Sequence, residues 1–302
     1  MLFRSRSMAQ ITLDELNRMD RAAFVVALGE VFEHAPWVAE NAADARPFSG
    51  VNALFDAMTA AVSNASADRQ MALIKGHPDL AGKAAREGAI TDDSKREQSS
   101  AGLDRLTEHE FATFHKLNDA YHAKFDIPFI VCVRRHGKES ILRQFEQRLG
   151  NDKAAERQAA LNEIFRIAAL RLDQRVAASD RLKVHGRLST HVLDTHGGHP
   201  APGVTVEFFE IESSGRAHLI SRSVTNADGR TDRPLIAEQP IPIAQYELRF
   251  GVSEYFAKQG TPVADPPFLG IVPIRFAVAE PESHYHVPLL VTPWSYSTYR
   301  GS

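Results

Sequence analysis

Apolar residues recur every three to four positions through the first part of the chain and every second position through the last. The clearest helical stripe is Leu161, Ile164, Phe165, Ala168 and Leu172, which fall on one face of a helix. Three S/T-x-x-E signatures, Thr12 with Glu15, Ser94 with Glu97 and Thr107 with Glu110, read as capping boxes that open helices. Residues 12–178 are therefore predicted to form an all-α helical domain. The stretch from Val176 to Arg187 loses the stripe, and a linker is placed at 179–187. Beyond it, Val204, Val206 and Phe208 alternate with Thr205 and Glu207, and Tyr246, Leu248 and Phe250 with Glu247 and Arg249. Turn residues punctuate these runs at Gly197-Gly198, Asn226-Ala-Asp-Gly229 and Asp265-Pro-Pro267. Residues 188–302 are predicted to form an all-β sandwich of about seven or eight short strands.

Proline sharpens that division. Only Pro36, Pro47, Pro78 and Pro128 of the 16 prolines precede residue 188, as expected where helix interiors exclude them. The formal net charge of −3 supplies no basic field for nucleic acid or anionic lipid. No apolar run reaches the roughly 18 residues of a membrane span. The single cysteine, Cys132, lies inside the run Phe129-Ile-Val-Cys-Val133 and reads as a buried small hydrophobe in a reducing compartment. A terminal Ser302 offers no peroxisomal address, so a cytoplasmic location is expected. The seven residues before Met8 are given no function.

Nucleotide-binding glycine motifs and the nucleophile elbow are missing from the sequence. His109-Glu110 with His115 superficially resembles a zinc-protease helix, but the histidines are six apart where four places both on one face. More informative is Lys75-Gly76-His77-Pro78, in which proline restricts the residue before it and so suits a positioned imidazole. Taken alone, that histidine reads first as an ordinary loop residue. Arg171 falls near Ile164 at the border of the apolar arc, so its guanidinium either reaches an interior cleft or snorkels past the edge.

Five segments of this part, Gly76-His77-Pro78-Asp79-Leu80-Ala81, Ser94-x-x-Glu97-Gln98-x-x-Ala101-Gly102-Leu103, Leu117-Asn118-x-x-Tyr121, Lys124-Phe125-x-Ile127-Pro128-Phe129 and Leu170-Arg171-Leu172, together resemble the family of 2-oxo-4-hydroxy-4-carboxy-5-ureidoimidazoline (OHCU) decarboxylases. The resemblance covers about residues 12–176. It implies a cofactor-free decarboxylation giving (S)-allantoin. His77 is then the acid/base at the substrate hydroxyl, with Glu97 holding it or sharing its proton. The resemblance also implies that Arg171 binds anionic oxygen, that Ser94 and Gln98 hydrogen-bond ureido and ring groups, and that Pro78, Phe129 and Ile130 complete the pocket. The family's usual glycine and aromatic before Pro-Phe are replaced here by Asp126-Ile127, a departure that bears on pocket shape.

In the β part, His284 and His286 flank Tyr285, so both imidazoles point to one sheet face if this is a strand. With His191 they form either a solvated polar face or a zinc site. The ending Tyr299-Arg300-Gly301-Ser302 resembles the signature of the 5-hydroxyisourate hydrolase family on a transthyretin-like sandwich, and it is accompanied by Thr190-His191-Val-Leu-Asp194, Thr225-x-x-Asp228-Gly229-Arg230 and His284-Tyr-His-Val-Pro-Leu-Leu290. This resemblance implies metal-free ring opening by water. His191 and His286 are then the groups that activate and orient the nucleophile, Arg230 stabilises the oxyanion, His284 supports, and Tyr299, Arg300, Gly301 and Ser302 line the pocket. It further implies a homo-oligomer, a tetramer through the β domain with sites at subunit interfaces, to which the helical domain adds dimer contacts.

The two resemblances name successive steps in uric acid breakdown, because the hydrolase product is the decarboxylase substrate. The expected chain is a bifunctional hydrolase and carboxy-lyase acting on small purine-derived molecules, with no cofactor, metal, nucleic acid or membrane partner. Fusion is expected to raise the local concentration of the labile intermediate without a sealed tunnel. The alternatives are a transthyretin-like ligand-binding module fused to an inactive helical domain and a zinc-dependent hydrolase in the β part.

Overall fold

The computed structural model describes residues 10–81, 91–103 and 106–301, with the side chain of Ser100 excepted. The chain divides into two compact units: Met1–Val133 with Ile141–Val184, and Arg134–Ser140 with His185–Ser302. Each has its own apolar core.

The first unit is built from helices Leu13–Arg18, Arg21–Leu28, Pro36–Ala42, Val51–Ser63, Ala67–Lys75, Asp92–Ser100, Glu108–Phe125 and Lys153–Arg175, with most of Lys138–Arg148. Thr12 and Thr107 form complete capping boxes, each hydroxyl accepting the N–H of a glutamate three residues on, at 3.2 Å. The third signature is not a cap. Thr91 opens helix Asp92–Ser100 by accepting the Ser94 N–H at 3.3 Å, so Ser94 and Glu97 lie inside the helix, on faces one turn apart. Helix Val51–Ser63 begins after Gly50, which has no capping side chain, and Asp180 accepts the Val51 and Asn52 N–H groups instead.

The stripe on Lys153–Arg175 packs inward, with Leu161, Ile164, Ala168 and Leu172 buried. A charged network lies beside it: Arg148 Nε donates to Glu156 at 2.9 Å, the Tyr121 hydroxyl donates to the same carboxylate, and Arg148 Nη1 donates to the Ile130 carbonyl at 2.6 Å. The network pins the segment 129–132, where Cys132 is buried as expected.

Strand β1 (Ile11–Thr12) pairs in parallel with β2 (Val176–Ala177), so the unit is helical without being purely so. In the second unit the strands are β3 (Gly186–Ser189), β4 (Val192–Asp194), β5 (His199–Pro200), β6 (Thr205–Ile211), β7 (Ala217–Val224), β8 (Ile236–Gln239), β9 (Ala244–Gly251), β10 (Ile271–Val278), β11 (His284–His286), β12 (Leu289–Val291) and β13 (Tyr296–Ser297). They form sheets in the orders β10-β9-β6-β7, β11-β3-β8 and β13-β12-β4-β5. Eleven strands among the described residues exceed the expected number because several are only two or three residues long. The alternation holds in β6 and β9, where Val206, Phe208, Tyr246, Leu248 and Phe250 are buried; the register shifts between Phe208 and Phe209, and Phe209 is buried outside that core, beneath the Arg249 guanidinium. Helix Val252–Lys258 interrupts the strands, and its Tyr255 hydroxyl donates to Asp194 at 3.0 Å. The chain is thus helical in its N-terminal region and β-rich in its C-terminal region. Among the described residues, no helix is long and apolar enough to cross a membrane.

Candidate active sites

His77 follows the C-terminal turn of helix Ala67–Lys75 and is only 8% exposed. Its Nδ1 lies 2.9 Å from the Leu73 carbonyl. A carbonyl only accepts, so in the neutral ring Nδ1 carries the proton and Nε2 keeps a lone pair. Burial pushes the imidazole pKa down to about 4, with Arg171 adding to the effect and the Leu73 carbonyl and Glu33 opposing it. The ring is neutral near pH 7 and able to accept a proton.

Around it lies a pocket of about 360 Å³, counting its open mouth, lined by His77, Pro78, Ser94, Glu97, Gln98, Phe129, Ile130 and Arg171. All eight residues singled out in the helical part therefore meet in one place. Leu80, Val131, Val133 and Ile167 add apolar wall. Arg171 reaches the interior rather than snorkelling: it is 4% exposed, and its Nε and Nη2 donate to the two Glu97 oxygens at 2.8 and 2.9 Å. Its Nη1 donates to Glu33 at 2.6 Å and its Nη2 to Ser94 Oγ at 3.3 Å. Glu97 thus grips Arg171. The carboxylate whose charge acts on His77 is Glu33, which sequence reasoning missed. Burial raises the Glu97 pKa against the opposing pull of Arg171, whereas Glu33, also opposed by burial, is held below its ordinary range by Arg171 and Thr91.

Gln98 is partly engaged by the protein, accepting the Ala81 N–H at 3.0 Å, and Asn118 donates to the Leu80 carbonyl at 2.9 Å. Both hold the segment after His77 against the pocket. Asp126 and Ile127 do not line it. Asp126 ends helix Glu108–Phe125 with φ +58°, the left-handed conformation that favours glycine, and its carboxylate pairs with Lys75 at 2.6 Å. The departure from the family's glycine thus keeps the turn.

In the second unit, His191 and Arg230 face each other across an isolated antiparallel bridge, and the His191 carbonyl accepts the Leu289 N–H at 2.8 Å. Gly229, next to Arg230 in the chain, has φ +69°, and a Cβ there would lie 2.3 Å from the Val192 carbonyl oxygen. Strand β11 turns His284 and His286 to one face, where Ser189 Oγ lies 3.1 Å from His284 Nε2 and 3.0 Å from His286 Nδ1. The C-terminal segment returns through a backbone bridge: Gly301 N–H donates to the His286 carbonyl at 2.8 Å. A Cβ on Gly301 would lie 2.9 Å from His286 Cδ2. Arg300 lies over the Tyr285 ring, 4.5 Å from its centroid, and Tyr299 is 58% exposed. Ser302 lies outside the described residues.

Burial lowers the pKa of all three of these histidines, helped by Arg230 at His191 and His286 and by Arg187 at His284. His191 Nε2 is buried with no hydrogen-bond partner among the described residues. An unpaired imidazole nitrogen beside a guanidinium suits activation of water next to a group that stabilises developing negative charge. Among the described residues, no group of three or more His, Cys, Asp or Glu is placed to hold a metal ion.

Comparison with known proteins follows the same division. The OHCU decarboxylase family model matches residues 17–173, and that of the HIUase/Transthyretin family matches residues 188–301. An OHCU decarboxylase of Haloferax volcanii is 40% identical over 171 residues, 57% of this chain and 99% of that protein. A 5-hydroxyisourate hydrolase of Halalkalibacterium halodurans is 50% identical over 117 residues, 39% of this chain and 98% of that protein. The crystal structure of an (S)-allantoin synthase aligns with 97% of this chain and 100% of its own, at 34% identity and a TM-score of 0.50.

Proposed function

The chain belongs to the OHCU decarboxylase family through its helical region and to the HIUase/transthyretin family through its β-rich region, and from that membership and the two sites we propose a bifunctional enzyme of uric acid catabolism. It hydrolyses 5-hydroxyisourate to OHCU and decarboxylates OHCU stereoselectively to (S)-allantoin. The observation that carries the reading is the convergence of His77, Ser94, Glu97, Gln98 and Arg171 on one pocket from three separate helical segments.

For decarboxylation, the bare Nε2 of His77 accepts the hydrogen of the substrate hydroxyl as the C–CO₂ bond breaks and the electron pair passes into the ring. The imidazole then returns a proton to one face, which fixes the configuration. Arg171 and Ser94 bind the anionic and ureido groups, while Phe129, Ile130 and Pro78 exclude water. For hydrolysis, His191 and His286 orient and deprotonate a water that attacks the ring carbonyl, Arg230 stabilises the oxyanion, and collapse expels the ring nitrogen. His284 supports through Ser189, with Tyr299 to Gly301 bordering the site.

We place the catalytic domains at 12–178 and 188–302, the second a transthyretin-like sandwich, in a cytoplasmic enzyme. The exposure of Arg230, Tyr299 and Arg300 supports a tetramer in which a second copy covers the β-rich site. The test generates 5-hydroxyisourate in situ from uric acid and follows its ultraviolet decay with the circular dichroism of the product. Fast decay with prompt optically active allantoin is expected. A lingering second intermediate with racemic product would remove the decarboxylase, and decay at the blank rate would remove the hydrolase.

A further inference from the structure

Two carboxylates grip Arg171, and their surroundings differ. The Glu33 side chain is 1% exposed and lies behind the pocket, off its lining. One of its oxygens accepts from Arg171 at 2.6 Å, and the other from the hydroxyls of Thr91 at 2.6 Å and Ser94 at 3.0 Å. Its backbone lies between buried Phe32 and exposed His34, which takes a left-handed φ of +50°. Glu97 is 17% exposed, lines the pocket, and covers the other edge of the guanidinium. An entering molecule therefore meets Glu97 first.

OHCU carries a carboxylate, and an arginine already flanked by two carboxylates has no charge to spare for a third. We propose that Glu33 is a positioning residue for decarboxylation, a fixed counter-charge that holds Arg171 and Ser94 at the pocket wall, while Glu97 is the carboxylate that yields the arginine to the anionic substrate. The inference rests on the decarboxylase reading above. Glu97 yields by taking up a proton, which leaves one negative charge on Arg171 before binding and restores the pair when the substrate arrives. Among the described residues, the charged and titratable groups facing Glu33 include Arg171, Glu97, His77 and the neighbouring His34, and those facing Glu97 include Arg171, Glu33 and Asp93, itself paired with Arg175.

Decarboxylation then needs neutral His77 and protonated Glu97, which gives a bell-shaped pH profile. Glu33→Gln in the full chain keeps the shape and removes the charge. Both limbs should move to lower pH, because Glu33 raises the pKa of both His77 and Glu97, and kcat/KM should fall on the order of 100-fold. Hydrolysis of 5-hydroxyisourate by the same protein should be unchanged. Glu97→Gln should abolish the alkaline limb itself.

A Glu33→Gln enzyme whose limbs stay at the wild-type pH would overturn the proposal, since a merely structural residue lowers the height without moving them. So would an alkaline limb that survives in Glu97→Gln. If Glu33→Gln does not fold, Glu33→Asp keeps the charge on a shorter arm and should lower kcat/KM about tenfold with both limbs in place; wild-type kinetics there would also overturn it. Absence of decarboxylation in the wild type is the separate failure of the underlying reading.

Discussion

His77 is almost fully buried and sits among side chains drawn from positions 33 to 171, whereas His191 and His286 are half-buried beside exposed Arg230 and Tyr299. In the helical unit, charge and imidazole are shielded by the core, so the protein itself must supply partners for the charge, and it does so with the carboxyl groups of Glu33 and Glu97 on Arg171. In the β-rich unit the site is assembled by backbone bridges, His191 to Arg230 and His286 to Gly301, which set the register of half-buried histidines beside the exposed Arg230. A buried site fixes protonation states by desolvation, while an open one relies on register and on whatever closes over it.

The largest effects should come from breaking each site at its histidine. His77→Ala is expected to lower decarboxylation on the order of 1,000-fold while leaving hydrolysis within about twofold, and His191→Ala to do the reverse. Separate assays of 5-hydroxyisourate decay and OHCU decay decide the matter. A cross-effect of comparable size would mean that the two units are not independent catalysts.

Next in size is the backbone that positions each site. Gly229→Ala places a Cβ against the Val192 carbonyl at a positive φ, so hydrolysis should fall about 10- to 100-fold with decarboxylation intact. The helical counterpart is Glu156→Gln. It leaves Arg148 buried beside a neutral partner, should destabilise that unit by about 3 kcal/mol, and should loosen the segment that presents Phe129 and Ile130. Thermal unfolding followed by both activities separates the cases: decarboxylation should be lost at lower temperature in Glu156→Gln, and hydrolysis should not.

What could be read from the sequence follows the same contrast. The β-rich site was legible because its residues sit in short local motifs: alternation gave β6, β9 and the facing of His284 and His286, and the terminal motif returns to His286 by one bridge. Its two-residue strands, β5 and β13, were not legible, since two residues carry no period. In the helical part, His77 stood out through its proline and Arg171 through its place at the edge of an apolar stripe. Ser94 with Glu97 looked like a cap because Thr91, the residue that performs the capping, lacks a glutamate at the matching position. Glu33 was invisible because nothing near it in sequence explains its burial; its partner Arg171 is 138 residues away. Long-range charge pairing leaves no local pattern.

The smallest predicted effect concerns pH and tests the comparison most finely. A histidine whose folded pKa is depressed resists protonation, so folding opposes proton uptake as the pH drops below the ordinary value of about 6.5. For His77 the cost begins there, grows through the window down to about pH 4 and is constant below it, because the folded ring then also binds the proton. His191 and His286 are lowered in the same direction, by burial first and Arg230 second, without the helical pocket's full enclosure. The acid limb of decarboxylation should therefore lie near pH 4, and that of hydrolysis below 6.5 but at higher pH than the first. At pH 5 the ratio of decarboxylation to hydrolysis should exceed its value at pH 7 by a few-fold. Coincident acid limbs would show that enclosure does not set the difference, and would leave the neighbouring guanidinium, common to both sites, as the controlling charge.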